Sequence, residues 1–261
     1  MGEPFLRPNE VHKTTTLRTK CMPFISGCVA FATGGGQGLG AVFRKLAMAS
    51  AIVVAEDVLE AKVHAMTEAL VSDGGQAKGL RLDVGNDDFV GGVFNESAGR
   101  HGRCDILVNN AGTDHMTSIE DMRVEHSQKV VDVNFMGSFM AEKSIFPHMR
   151  KQSDGHIVNI ASTAAKRAWP HAISYQASKL GLSGLSHAMY VEAWLLSIKV
   201  TAVISEGLPT PLLRDGFPDI DVLTLQDSPN VPETVRFVLL QPAETVISEI
   251  MVLKTRETSW P

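Results

Sequence analysis

Short, almost continuously apolar runs alternate along this chain with longer amphipathic stretches, and the first run ends in a glycine-rich turn. Cys28–Thr33 is that run, and Thr33-Gly34-Gly35-Gly36-Gln37-Gly38-Leu39-Gly40 continues from it. A strand with one wet face alternates apolar and polar side chains. An unbroken run such as Ile106-Leu107-Val108 fits a strand covered on both faces, as in a parallel sheet flanked by helices. Further strands are expected at Ile52–Ala55, Ala77–Leu82, Asp105–Val108, His156–Ile160, Lys199–Ile204 and Ile247–Leu253. Helices are expected at Leu39–Ser50, Ala61–Ser72, Asp87–Gly99, about Glu125–Met149, Tyr175–Leu196 and Pro232–Leu240. The alternation predicts a doubly wound α/β sheet with helices on both faces. Ligands of such sheets bind beyond the carboxyl ends of the strands. That edge collects the glycine turn, Asp57, Asp83, Asn110, Ser162 and Ser205.

The 261 residues are 44% hydrophobic, enough for one sizeable core. No linker or repeat divides them, so residues 27–261 are read as one domain and residues 1–26 as a flexible extension. That extension is polar, carries Glu3 and Glu10, and lacks the apolar core of a signal peptide. Net charge is -5 without a dense Lys/Arg block, which argues against nucleic acid as a partner. No apolar run reaches the roughly 20 residues that span a bilayer. Cys21, Cys28 and Cys104 are scattered and odd in number, fitting a reducing, cytoplasmic compartment. The nine histidines form no metal-ligand spacing, and no metal is expected.

Two clusters carry chemistry. Gly34, Gly38 and Gly40 let the chain turn tightly between a strand and a helix, whose unpaired N–H groups attract a pyrophosphate. The next strand ends in Ala55-Glu56-Asp57, where an acid can accept hydrogen bonds from ribose hydroxyls and repel a 2′-phosphate. Asp57 is the expected reader, Glu56 the fallback, and NAD is favoured over NADP. Downstream, Tyr175 and Lys179 stand at i and i+4, on one face of a helix. A phenol titrates near about 10, and a nearby ammonium would bring it down. Ser162 could hold a substrate oxygen against that phenol. Singly, these residues also read as a turn, a cap and an exposed helix face; together and in this order they describe a nicotinamide site followed by proton-transfer machinery.

In these motifs the chain closely resembles the short-chain dehydrogenase/reductase family, in its single-domain form, from about Gly27 to Leu253. The resemblance implies a Rossmann-type sheet of about seven parallel strands and a nicotinamide cofactor. It assigns Thr33 to Gly40, including Gly36, Gln37 and Leu39, to the cofactor turn, and Asp57 to NAD selection. Asp83 and Val84 would lie beside the adenine, and Asn110, Ala111 and Gly112 would border the adenosine ribose. Asn134 would support a water linked to the catalytic lysine. Ser162, Tyr175 and Lys179 would orient substrate, exchange its proton and bind the nicotinamide ribose. Leu208 and Thr210 would lie near the carboxamide. The family's pairing of its long helices implies a homo-oligomer, a dimer or tetramer.

Ser205-Glu206 stands where the family has Pro-Gly, and the closing glycine pair is replaced by Lys254-Thr255-Arg256-Glu257. Glu206 could point harmlessly to solvent or crowd the cofactor and weaken its binding. The alternative to a secondary-alcohol/ketone oxidoreductase is therefore a nucleotide-binding scaffold or sensor with weak turnover. A metal-dependent alcohol dehydrogenase is disfavoured by the missing ligand clusters. Leu212–Leu225 is expected as an apolar lid, with Leu212, Leu213, Phe217, Ile220, Leu223 and Leu225 over the substrate. Trp169 and His171 are expected at the pocket mouth. The small-molecule substrate is expected to be an apolar secondary alcohol or ketone rather than a highly charged compound, with carbonyl compounds, sugars, steroids and acyl thioesters all open.

Overall fold

A computed structural model describes residues 25–255 except Gln37, 217–218 and 222–224. Lid positions Phe217 and Leu223, Gln37 and most of the N-terminal extension thus lie outside the described residues. Seven strands form one sheet: β1 (Val29–Thr33), β2 (Ile52–Asp57), β3 (Gln76–Arg81), β4 (Ile106–Asn109), β5 (Gly155–Ser162), β6 (Ile198–Ser205) and β7 (Glu249–Val252). Their order is β3-β2-β1-β4-β5-β6-β7, and every neighbouring pair is parallel. The order reverses between β1 and β4, which opens a crevice at their carboxyl ends. β5 and β6 stay in register from Gly155↔Ile198 to Ser162↔Ser205, so those two serines finish side by side.

Successive strand side chains point to opposite faces, and helices cover both. On one face Ala30, Ala32 and Val53 pack with Val42 and Phe43 of α1 (Ala41–Met48), Val63 of α2 (Glu60–Ser72), and Val231 and Val235 of the helix Asn230–Leu239. On the other, Val29, Phe31 and Val54 meet Phe94 of α3 (Asp87–His101) and Ile145 and Met149 of α5 (Gly137–Gln152). Burying each large aliphatic or aromatic side chain contributes roughly 1.5–3 kcal/mol. The expected apolar strands are thus apolar because both faces are covered.

The single helix expected over about Glu125–Met149 is interrupted. It divides into α4 (Val124–Val131), a π-helical turn at Asp132–Met136, and α5. Gly137 is pressed against the β3–α3 loop: a Cβ there would lie 2.9 Å from Val84 Cβ. The wider turn inserts a residue without ending the helix, and it buries Asn134 completely. Residue periodicity does not reveal such a turn, because the helix continues on both sides.

Candidate active site

β1 leads into the glycine turn. Gly34 has φ +71° and approaches the loop after β4 so closely that a Cβ would stand 2.8 Å from Ala111 Cα. Thr33 and Asn110 lock this approach. Thr33 Oγ1 accepts the N–H groups of Asn110 (3.1 Å) and Ala111 (3.0 Å), and Asn110 Nδ2 donates to the carbonyls of Thr33 and Gly34 at 3.0 Å. Gly36 N donates to Asp57 Oδ2 at 2.8 Å, and Leu59 N to Asp57 Oδ1 at 2.8 Å. Asp57 therefore ends β2 with its carboxylate anchored against the turn. Leu39 belongs to the 3-10 turn Gly38–Gly40 that precedes α1. Gly38 faces Thr210, and a Cβ there would lie 3.3 Å from Thr210 Cγ2.

Glu56 fails as the fallback reader. Its side chain is fully buried, and neither carboxylate oxygen has a partner among the described residues. Burial alone pushes its carboxyl well above the usual carboxylate range. It points the opposite way from Asp57 because consecutive strand residues face opposite sides.

Asp83 lies just beyond β3. Its Oδ1 accepts Gly85 N at 3.0 Å, and Lys129 Nζ of α4 approaches Oδ2 at 3.2 Å. Val84 is buried beside it. Asn134 Oδ1 accepts Thr113 N (2.8 Å), while Nδ2 donates to Thr113 O (2.9 Å) and Ser178 Oγ (3.0 Å). Asn134 thus ties the segment after Gly112 to α6 (Ile173–Ala193). Lys179, 4% exposed on that helix, donates from Nζ to Ile160 O at 2.8 Å. A Cβ on Gly112 would lie 3.6 Å from Asn134 Oδ1 and 3.7 Å from Lys179 Nζ, so both groups flank one small space.

Ser162 closes β5 and caps the turn Thr163–Ala165, its Oγ accepting Ala164 N at 3.1 Å. The capping role and the pocket role coexist. Lys179 Nζ lies 5.8 Å from the centre of the Tyr175 ring. Burial lowers the Lys179 ammonium to about 8. The Tyr175 phenol is raised to about 12 by burial, opposed by a hydrogen bond with Ser162 and reinforced by the charge of Asp114. The depression expected from Lys179 is therefore not what the protein's own groups produce, since burial outweighs the hydrogen bond with Ser162.

One cavity of about 840 Å³ joins these groups. Gly34, Gly38, Asp57, Asp83, Val84, Asn110, Ala111 and Gly112 line it, as do Ser162, Tyr175, Lys179, Leu208 and Thr210. Its volume falls in the range of small-molecule and cofactor sites. Leu212, Leu213, Ile220 and Leu225 line it as the lid reading expects, and so does Trp169. His171 does not; it is exposed, and its carbonyl accepts Thr117 N at 2.9 Å. Asn134 lies behind the wall. Sequence reasoning missed Asp114, Met116 and Ser178. Only the first two had a usable signal, following Asn109-Asn110-Ala111-Gly112 off the same sheet edge.

Glu206 borders the cavity, but its Oε2 accepts Lys254 N at 2.6 Å. The residue in the Pro-Gly position thus holds the segment that follows β7 at Lys254, where the glycine pair was expected. Among the described residues, no group of three His, Cys, Asp or Glu could hold a metal, and no helix is long and apolar enough to cross a membrane.

A 3-oxoacyl-[acyl-carrier-protein] reductase from Synechocystis sp. is 28% identical over 244 residues, covering 87% of this chain and 95% of that protein. A 3beta-hydroxysteroid dehydrogenase from Mediterraneibacter gnavus is 32% identical over 194 residues, 74% of this chain and 70% of that protein. The crystal structure of a metagenomic short-chain oxidoreductase in complex with NADP superposes with a TM-score of 0.78 at 29% identity, covering 88% of this chain and 98% of that one. The short chain dehydrogenase family pattern matches residues 28–220, and the chain belongs to that oxidoreductase family.

Proposed function

We propose that this protein oxidises secondary alcohols, or reduces the corresponding ketones, with a nicotinamide cofactor, NAD(H) being favoured. The observation that carries the reading is the meeting of Ser162, Tyr175 and Lys179 on one cavity that also reaches Asp57 and Asp83. Gly34 to Gly40, with Gly36, Gln37 and Leu39, would receive the pyrophosphate at the start of α1. Asp83, Val84, Asn110, Ala111 and Gly112 would border the adenosine, and Leu208 and Thr210 the carboxamide. When bound, the cofactor supplies the acceptor or donor of hydride at the substrate carbon.

The remaining chemistry belongs to this chain. The Ser162 and Tyr175 hydroxyls hold the substrate oxygen. In oxidation the Tyr175 phenolate takes the hydroxyl proton as the carbon loses hydride and the C=O bond forms; in reduction it returns the proton. The protein alone holds the phenol near about 12, so the phenolate needs positive charge beside it. Lys179 provides one charge on the same helix face. Asn134 fixes the segment at Gly112 that flanks Lys179 Nζ and would support a water there.

Asp57 favours NAD(H). Each of its oxygens takes one backbone N–H and retains capacity for a ribose hydroxyl, while its charge repels a 2′-phosphate. NADP(H) is the second reading. It is favoured by the NADP-bound metagenomic relative and by Lys62, which α2 brings against Gly36. Titrating wild type and Asp57→Ala with NADH and NADPH by fluorescence decides between them. The NAD reading expects the variant to lose most of the preference for NADH; unchanged preference overturns it. Tyr175→Phe should bind cofactor normally and lose about 10²–10⁴ in turnover. Retained turnover would remove Tyr175 as the proton carrier.

Glu206 is compatible with the enzyme reading because Lys254 N holds its carboxylate, which weakens the scaffold alternative. We also propose a cytoplasmic homo-oligomer, dimer or tetramer. Exposed Val124, Phe139, Leu180 and Val191 on α4, α5 and α6 support association. A monomer by light scattering at micromolar concentration would overturn it.

A further inference from the structure

The cavity carries two acidic side chains that neither motif accounts for: Glu206, whose Oε2 accepts Lys254 N, and Asp114. Asp114 lines it after β4, together with the apolar Met116, Trp169 and Leu213. Asp114 is half-buried, and its Oδ1 accepts His115 N at 2.7 Å. Among the described residues no hydrogen bond goes to its Oδ2. The cations that line the cavity are committed elsewhere: Lys129 to Asp83 at the far end (3.2 Å), and Lys179 to Ile160 O (2.8 Å). Asp114 feels the neighbouring His115, but neither cation that lines the cavity pairs with it, so its free oxygen suits a hydrogen-bond donor and its charge repels an anion.

We propose that Asp114 selects the substrate: it accepts a hydrogen bond from a second hydroxyl or an ammonium close to the reacting carbinol, so the pocket takes diols and amino alcohols and rejects hydroxy acids. This rests on the dehydrogenase reading above. It also refines the expectation of a purely apolar substrate, since the walls are apolar but one polar contact is fixed. Two further observations agree. Burial raises the Asp114 carboxyl, outweighing the backbone N–H and charge of His115, and its charge is felt by the Tyr175 phenol. Asp114 and Tyr175 line the same cavity, so one substrate can meet both.

The test uses four secondary benzylic alcohols that differ only beside the carbinol: 1-phenylethanol, 1-phenyl-1,2-ethanediol, 2-amino-1-phenylethanol and mandelate. Each is offered with NAD⁺ and with NADP⁺ to wild type, Asp114→Asn and Asp114→Ser, and kcat/KM is compared within each variant. Ratios within a variant cancel any change that Asp114 imposes on Tyr175. Wild type should prefer the diol and the amino alcohol to 1-phenylethanol by roughly tenfold to a hundredfold, and mandelate should be the poorest. Both variants should lose most of that preference and gain on mandelate. Equal ratios in wild type and variants would overturn the proposal. So would a wild type that binds NADH or NADPH by fluorescence yet turns over neither the diol nor the amino alcohol. If neither cofactor binds and no alcohol reacts, the dehydrogenase reading itself falls.

Discussion

Replacing Glu142 by glutamine should make the protein's stability less dependent on pH, by an amount the buried network fixes. Glu142 of α5 is 1% exposed beneath the carboxyl ends of β4 and β5. Its Oε1 accepts Asn109 Nδ2 at 3.2 Å and Asn159 Nδ2 at 2.8 Å, and Asn159 also donates to Ser186 Oγ at 2.9 Å. Its Oε2 has no partner among the described residues. Burial therefore dominates, and the carboxyl is raised from 4.5 to about 7 despite both asparagines. A carboxyl with a raised folded pKa gives stability that is complete below the unfolded value and lost as pH climbs through the folded one. The gap corresponds to about 3 kcal/mol at full ionisation, most of it lost between pH 5 and 8.5. Glutamine keeps the acceptor for both asparagines and cannot ionise. Urea unfolding of wild type and Glu142→Gln across that window should show their stability difference shifting by about 2–3 kcal/mol in favour of the variant at the alkaline end. A difference that stays flat within about 0.5 kcal/mol would refute this role for burial, because Glu142 would then be solvated or already charged.

Other expectations follow from single contacts. Gly34→Ala adds left-handed strain of about 1–2 kcal/mol to a backbone collision, so cofactor binding should weaken and melting should fall by several degrees; unchanged NADH titration would show that the turn yields. Asn134→Ala strands the Thr113 N–H and carbonyl and removes the donor to Ser178 Oγ, at about 2–4 kcal/mol, measurable by urea unfolding. A variant as stable as wild type would mean that neighbours re-pair these groups. Glu206→Gly frees Lys254 N and should cost about 1 kcal/mol with little change in cofactor affinity. A tenfold gain in turnover would instead favour the scaffold reading.

Glycine turn, Asp57 and the Ser162, Tyr175 and Lys179 set were legible because each is local. A turn that needs φ > 0, an acid at a strand end, and a pair at i and i+4 are written in consecutive residues. The positions of β1, β4, β5 and β6 were equally legible, since a strand buried on both faces has no polar alternation to confuse it. Glu56 was misjudged because adjacent strand-end acids differ only in which face they meet, and composition is silent on facing. Glu206 looked obstructive until the chain after β7 proved to lie against it, a contact between residues 48 apart.

By itself the sequence determined the parallel sheet, its binding edge and the residue types delivered there, because periodicity and turn chemistry act over a few residues. Tertiary structure decided the rest. It inserted the π-turn at Asn134, buried Glu142 with Asn109 and Asn159, turned Glu206 toward Lys254, and left Asp114 in an apolar wall. Each of these outcomes depends on which distant segment removes water from a polar group, and the cost of desolvation is set by that neighbour rather than by the residue's own type.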